Sequence, residues 1–400
     1  MQYDFPVILT LDSVLPAIEG REDFKVMEKD DFIVVDYMVA FNETFGTPHY
    51  PNTSIPQVPI YDPMDLIRRE CRGLIFYKDG KLAVRGLHKF FNANEKPETK
   101  LDKLDLTQEH WILDKLDGSC IRPFILNNEV YYATMAGAKP FHDDVKAHID
   151  SYTNQYEQLI RLYDAYNVQL IFEWCSPENR IVIGYDKPQL ILTSAREKAT
   201  GEYITYEDLV SIADFWDIPV VKAYEGSFEN MEKLVEYTRG LEDVEGFVVQ
   251  FKDGHRVKIK GDWYCQLHKV RSYFDYEKDV AKLILDGNID DLIPMMLPDQ
   301  VEKLRKFEAQ LQLDIIRDLG MIYLRKGMIN AYGITRKDFA INSTETPSSV
   351  RSVIFHNWND LKTVSDEILH EDLIKAYVNA TTSHARWRDH KKNNGMVLEW

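Results

Sequence analysis

Asp114-Lys115-Leu116-Asp117-Gly118-Ser119 is the segment around which the rest of the chain is organised. A lysine stands two residues before an aspartate, and a glycine follows at once. The next residues, Cys120-Ile121-Arg122-Pro123-Phe124-Ile125, read as a strand. Lys115 therefore sits where a turn enters a strand, with Gly118 letting the backbone approach a ligand closely. An uncharged lysine amine can attack a phosphorus or carbonyl centre. Burial or a neighbouring cation lowers its pKa toward that state. A lone Lys-x-Asp-Gly is most simply a surface turn, so its weight depends on what else the chain supplies.

Beyond this segment the chain supplies partners in a fixed order. Leu170-Ile171-Phe172-Glu173-Trp174 is an apolar strand interrupted by one carboxylate. A glutamate between Phe and Trp either pairs with a cation in the core or lines a site. Glu242-Asp243-Val244-Glu245-Gly246-Phe247 is an acidic turn entering a strand that runs to Phe251. Asp253-Gly254 signals a hairpin, and Arg256-Val257-Lys258-Ile259-Lys260 returns. A side-chain period of two puts Lys258 and Lys260 on one face. On a solvent face they mean little; on the face bearing Lys115 and Glu245 they form a phosphate clamp.

Upstream, Phe32–Tyr37 and Glu70–Tyr77 read as strands, and residues 46–63, with five prolines, as a loop. Lys78-Asp79-Gly80-Lys81 is a turn, and Lys81–Gly86 returns. Leu87-His88-Lys89-Phe90-Phe91-Asn92 sets a lysine beside two phenylalanines, a pattern that can pair a phosphate contact with a ring facing a base. Further strands are expected at 130–134, 181–185 and 190–196. Helices are expected at about 143–166, at 206–215 and at 231–241. Beyond about 267 strand patterns stop and helical periodicity takes over at 280–285, 301–326 and 361–377. The expected domain boundary lies near 270.

At 400 residues the chain is long enough for two cores. It shows no apolar run of the roughly 20 residues that span a bilayer and no signal-peptide pattern at its first residues. Cys71, Cys120, Cys175 and Cys265 are far apart, which argues for reduced thiols, a cytoplasmic setting and no structural zinc. The net charge is -17. Of 48 Lys+Arg and 65 Asp+Glu, residues 271–400 hold 18 and 20, so the acidity belongs to the first two-thirds. Any basic surface for nucleic acid must be local.

Taken together, Lys115-Leu116-Asp117-Gly118, Phe172-Glu173-Trp174, Glu245-Gly246-Phe247-Val248 and Lys258-Ile259-Lys260 resemble, in order, motifs I, III, IV and V of the covalent nucleotidyltransferases. Within that superfamily the chain resembles the bacteriophage RNA ligase 1 family. Arg72-Gly73, Lys89-Phe90-Phe91-Asn92, Ser176-Pro177-Glu178-Asn179-Arg180, Arg196-Glu197, Thr200–Ile204 and Trp263-Tyr264 carry that likeness over roughly residues 30–270. One departure stands out. Where the family tends to place a lysine in a Thr-Lys-Gly-Ser-like turn, this chain has Met135, with Lys139 the nearest substitute.

The resemblance implies an α+β fold: a nucleotidyltransferase domain of ATP-grasp-like antiparallel sheets over 1–270, then an all-helical C-terminal domain over 271–400 that selects RNA. It implies an ATP-dependent RNA ligase that joins 5′-phosphate and 3′-hydroxyl ends through a lysyl-AMP and an adenylylated RNA, with ATP and Mg²⁺ as cofactors. Expected partners are RNA, with tRNA a candidate, and no membrane. A monomer in the cytoplasm, the host's if the source is viral, completes the expectation. Lys115 is the expected nucleophile, and Lys258 and Lys260 the catalytic cations. Arg72 and Lys89 are the expected phosphate contacts, Phe91 or Phe247 the adenine stack, and Tyr264 a site residue on resemblance alone. Glu173, Glu245 and Asp117 are candidates to hold Mg²⁺ through its water shell, or, for Glu173 and Asp117, to bond the ribose.

The alternatives are a DNA ligase, a capping-type nucleotidyltransferase, or a non-catalytic RNA-binding adapter of the same fold. The first two usually append a small β-barrel after motif V, where this chain reads as helical. Two further features stay with the plainer reading: Asp290-Asp291 as a helix cap rather than a second metal site, and Arg386, Arg388, Lys391 and Lys392 around Trp387 as a frayed tail.

Overall fold

The computed structural model describes residues 3–38, 43–50, 59–135, 142–151, 155–274, 276–287, 289, 293, 296, 298–398 and 400. Two compact units divide at Cys265/Gln266. The strands are β1 (Phe24–Glu28), β2 (Phe32–Tyr37), β3 (Arg72–Tyr77), β4 (Leu82–Val84), β5 (Phe91–Asn92), β6 (His110–Asp114), β7 (Ser119–Leu126), β8 (Glu129–Ala133), β9 (Val168–Cys175), β10 (Gln189–Glu197), β11 (Gly246–Phe251) and β12 (Arg256–Lys260). The helices are α1 (Leu15–Ile18), α2 (Pro63–Glu70), α3 (His142–Asp150), α4 (Gln155–Ala165), α5 (Tyr206–Trp216), α6 (Met231–Arg239), α7 (Asp262–Phe274), α8 (Glu277–Leu285), α9 (Pro298–Tyr332), α10 (Arg336–Asn342), α11 (Ser348–His356), α12 (Asp366–Ala380) and α13 (His384–Asn394).

The first unit holds three four-stranded sheets, ordered β1-β2-β3-β4, β10-β9-β7-β8 and β5-β12-β11-β6. Among the described residues every strand pair is antiparallel except β5 with β12. Alternation explains the layering. Val34, Ile75 and Val84 of the first sheet meet Phe124 and Ala133 of the second. The second sheet's other face buries Phe172 and Leu190 under Tyr156, Leu159 and Ile160 of α4 and Leu209 of α5. In the third sheet Val249, Val257 and Ile259 pack under Met231 and Leu234 of α6. Antiparallel sheets followed by helices agree with the expected α+β class.

Three expectations need correction. Residues 181–185 form no strand. The backbone N–H groups of Val182 and Ile183 donate to the Asp117 carboxylate, at 2.6 and 2.7 Å, rather than to a neighbouring strand. The span 143–166 is not described as one helix but as α3 and α4; Tyr152 lies outside the described residues. The basic tail is not frayed. Ser383 caps α13, Trp387 is buried, and its indole N–H donates to Glu277 at 2.7 Å; Lys391 donates to the same oxygen at 2.7 Å.

The described residues of the second unit form helices and the turns between them, with no strand among them, built on α9. Leu304, Phe307, Leu311, Ile315, Ile322 and Ile329 point into a core shared with α11, α12 and α13. At its polar heart Asp318 accepts from Ser349 Oγ at 2.6 Å and Tyr377 OH at 2.9 Å. Asp290-Asp291 lies outside the described residues. Among the described residues no helix is long and apolar enough to cross a membrane.

Candidate active site

The site follows from strand register. In the third sheet Asp114 lies opposite Phe247, and Gly246 lies opposite Lys260. One residue on, Lys115 N–H donates to the Gly246 carbonyl at 2.9 Å, extending the β6–β11 ladder past the strand end. Lys115, Glu245 and Lys260 therefore emerge together at one end of three adjacent strands. Gly246 makes this possible. Its φ is +136°, and a Cβ there would stand 2.1 Å from the Ile259 carbonyl oxygen.

Glu245 is buried and bridges the two lysines. Its Oε2 is 2.9 Å from Lys115 Nζ and its Oε1 is 2.9 Å from Lys260 Nζ. Lys258 lies two residues back on the same face as Lys260. Burial, with the cations Arg72, Lys89 and Lys115 around it and Glu95 opposing, pushes its ammonium down to about 7. Lys89 is also lowered, by burial and by Arg72, and its Nζ lies over the rings of Tyr37 and Phe45 at 5.0 and 5.1 Å. Arg72 Nε is buried and finds no hydrogen-bond partner among the described residues. Several cations thus crowd one place with few anions to satisfy them. Such an arrangement is built for a polyanion.

The turn after Lys115 carries the chain from the third sheet into the second. Strand β7 pairs with β9, so Cys120 lies opposite Glu173. Burial pushes the Glu173 carboxyl up to about 7; Glu245 adds to the shift, while Lys115, the Gly118 N–H and Arg72 oppose it. A Cβ on Gly118 would stand 2.4 Å from the Trp174 carbonyl oxygen. The close approach that this glycine allows is therefore to strand β9.

Asp117 has a different place from the one expected. Its Oδ2 accepts the N–H groups of Val182 and Ile183, and its Oδ1 accepts the Tyr264 hydroxyl at 2.7 Å. Its own N–H donates to Tyr185 OH at 3.0 Å. With protein donors on both oxygens, this buried carboxylate braces the lysine's turn rather than facing metal or ribose. Glu245 pairs directly with Lys115, and Glu173 lies close enough to feel its charge. Tyr264 is buried, and its ring lies 5.0 Å from Lys260 Nζ.

The aromatic expectation is also corrected. Phe247 is buried under α6 among Met231, Leu234 and Ile259, 5.8 Å from the Tyr224 ring. Phe91 is buried in the first sheet's core, with Arg69 and Lys89 against its ring. Neither offers an open face for adenine. Met135 stands with its backbone against Gly73, while Lys139 lies outside the described residues.

Arg122 is the residue that sequence reasoning passed over. It is fully buried on β7, and its guanidinium donates to the carbonyls of Arg72, Gly73 and Thr134. It ties the strand that carries Arg72 to the strand that follows Lys115. Its signal was an arginine between Ile121 and Pro123-Phe124, a place where an unpaired charge would not survive burial.

Among the described residues no group of three or more His, Cys, Asp or Glu side chains could by itself hold a metal ion. Glu173 and Glu245 still suit a hard cation that takes oxygen ligands and retains most of its waters. Two neighbouring carboxylates, one with a raised pKa, are what a divalent cation would relieve.

A family model described as RNA ligase matches residues 70–264. A Thermovibrio ammonificans protein named as an RNA ligase is 30% identical over 327 residues, covering 78% of this chain and 78% of that protein. An RNA ligase of Rhodothermus phage RM378 is 28% identical over 166 residues, 34% of this chain and 37% of that one. Among solved structures, an archaeal ATP-dependent RNA ligase aligns with a TM-score of 0.45 at 13% identity, covering 76% of each chain.

Proposed function

The chain belongs to the RNA ligase family, and we propose that it seals RNA 5′-phosphate and 3′-hydroxyl ends with ATP, through an adenylate carried on Lys115. The observation that carries this reading is Glu245 held between Lys115 and Lys260, with the depressed Lys258 beside them. A nucleophilic lysine needs its proton removed and positive charge at hand. This cluster supports both needs.

In the first step the neutral Lys115 amine attacks the α-phosphorus of ATP. A nitrogen–phosphorus bond forms, the bond to the β-phosphate oxygen breaks, and pyrophosphate leaves. Glu245 Oε2, 2.9 Å from Nζ, is positioned to take the ammonium proton. Lys258 and Lys260 stabilise charge on the phosphate oxygens during attack, and Arg72 and Lys89 grip the phosphates further out. In the second step a 5′-phosphate oxygen of RNA displaces lysine from the adenylate. In the third a 3′-hydroxyl attacks that 5′-phosphate, AMP leaves, and the phosphodiester remains. Glu173 and Glu245 would hold a hydrated Mg²⁺, whose chemistry is to neutralise phosphate charge. Glu173 is alternatively a ribose contact. The helical unit, residues 266–400, selects the RNA, with tRNA one candidate.

The test is to mix protein, Mg²⁺ and ATP labelled at the α-phosphate, then resolve the products on a denaturing gel. Label stays on the wild-type protein and is absent from Lys115→Ala, while both melt at the same temperature. Retention of label by Lys115→Ala would refute the assignment. Label from GTP but not ATP would point to a capping-type enzyme. An adenylylated protein that seals nicked duplex DNA and not RNA ends would point to a DNA ligase.

A further inference from the structure

Residues 181–185, which the sequence reads as a strand, fold instead into a clasp on the turn that carries Lys115. Residues 115–117 belong to no strand or helix, so the main chain of the turn is held by what its amides reach. Lys115 N–H donates to the Gly246 carbonyl at 2.9 Å, which joins the turn to the third sheet. Gly118 N–H is bonded to the Glu173 carboxyl, which joins it to the second. Between them Asp117, 2% exposed, donates its N–H to the Tyr185 hydroxyl at 3.0 Å. This middle contact comes from a loop side chain.

A buried amide needs an acceptor, and here a phenol provides it. An N–H can only donate, so the phenol oxygen accepts and its own proton is left for the Cys175 sulfur. Burial pushes the phenol pKa up, which keeps the group a neutral hydroxyl. Cys175 is buried on β9, the strand that also carries Glu173. One hydroxyl thus ties the main chain of the lysine's turn to the strand of the site carboxylate.

The loop itself is braced. Asn179 Nδ2 donates to Ser119 Oγ at 3.0 Å and to the Trp174 carbonyl at 3.2 Å. Arg180 Nε donates to the Val182 carbonyl at 3.1 Å. Residues 182–185 therefore grip Asp117 twice, at its carboxylate through Val182 and Ile183 and at its main chain through Tyr185. The carboxylate contacts settle a charge. The phenol contact settles the course of the backbone two residues from the lysine.

We propose that Tyr185 is a positioning residue: by holding the Asp117 N–H it aims the Lys115 amine at the α-phosphorus of ATP. It acts through Asp117 and touches no reacting atom. The proposal rests on Lys115 being the nucleophile. An amine attacks productively over a narrow range of approach, and a misplacement of about 1 Å can cost about 100-fold in rate. The three steps do not depend on this aim equally. Lys115 attacks in the first step and leaves in the second. In the third the nucleophile is an RNA 3′-hydroxyl, and the lysine forms and breaks no bond. A residue that aims Lys115 matters to the first step and not to the third, whereas one that only maintains the fold matters to both.

The test is Tyr185→Phe, which removes one oxygen and keeps the ring. Single-turnover labelling with ATP labelled at the α-phosphate reads the first step. Joining of RNA already adenylylated at its 5′-phosphate to a 3′-hydroxyl RNA, without ATP, reads the third. Labelling should slow by about 10–100-fold, while the ATP-independent joining keeps the wild-type rate. Labelling at the wild-type rate would overturn the proposal and leave Lys115 as the nucleophile. Equal loss of both rates, including through a variant that fails to fold, would make Tyr185 a brace of the fold and overturn it as well. A wild type that takes no label would overturn the ligase reading and this proposal with it.

Discussion

Two glutamates in the first unit are each held between two cations, with opposite consequences. Glu245 lies between Lys115 and Lys260, which are 23% and 30% exposed. Glu70 lies between Arg85 and Arg196, both 0% exposed, at 2.9 and 3.0 Å. The arginines spend their remaining donors on carbonyls of Pro6, Lys198, Ala199, Gly86 and Gly201. That cluster has no group left to exchange. Arginine cannot be deprotonated under ordinary conditions, and its planar fork suits fixed geometry. Each lysine makes one ion pair, keeps access to solvent, and can trade its carboxylate for phosphate. Each glutamate has two cationic partners; donor chemistry and access separate a fixed brace from an exchangeable pair.

The largest effect should come from breaking the sealed cluster. Glu70→Ala leaves two buried guanidiniums without their anion and should destabilise the first unit by about 3–5 kcal/mol. A denaturant titration checks it, and a loss under 1 kcal/mol would erase the contrast. Glu245→Gln should act the other way round. Stability should change little, while the rate of self-adenylylation falls about 100-fold, the scale of losing one preorganised charge contact. Single-turnover labelling measures the rate; an unchanged rate would remove Glu245 from the chemistry.

The smallest effect sharpens the role of Lys258. Its folded-state pKa, about 7, lies below the ordinary lysine value of 10.5. Between those values the unfolded chain binds more protons, so stability rises with pH through that window. Wild type should gain on Lys258→Met between pH 7 and pH 9, whereas the arginine cluster adds no slope there. Parallel urea titrations at the two pH values read the difference, and a flat difference would mean that Lys258 stays charged.

Much of the reactive end was legible because it is local. Lys258 and Lys260 share a face by period alone, and the Asp253-Gly254 turn fixes the hairpin that carries them. The gaps have specific causes. Strand β6 is short and polar at both ends, so alternation did not reveal it, yet its pairing with β11 brings Lys115 beside Gly246. Residues 181–185 are β-branched enough to read as a strand, but their N–H groups are taken by Asp117. Phe91 and Phe247 carry no mark that separates a core ring from a base platform; only packing does so.

Residue type and period are intrinsic to the chain, so the side chains proposed for the chemistry, and their order, could be read before folding. Folding alone settles which glutamate reaches Lys115, which aspartate is consumed as a brace, and which arginines are sealed away. Those outcomes depend on register between strands more than a hundred residues apart and on the burial that pairing creates, and burial is what sets the charge of Lys258 and Glu173.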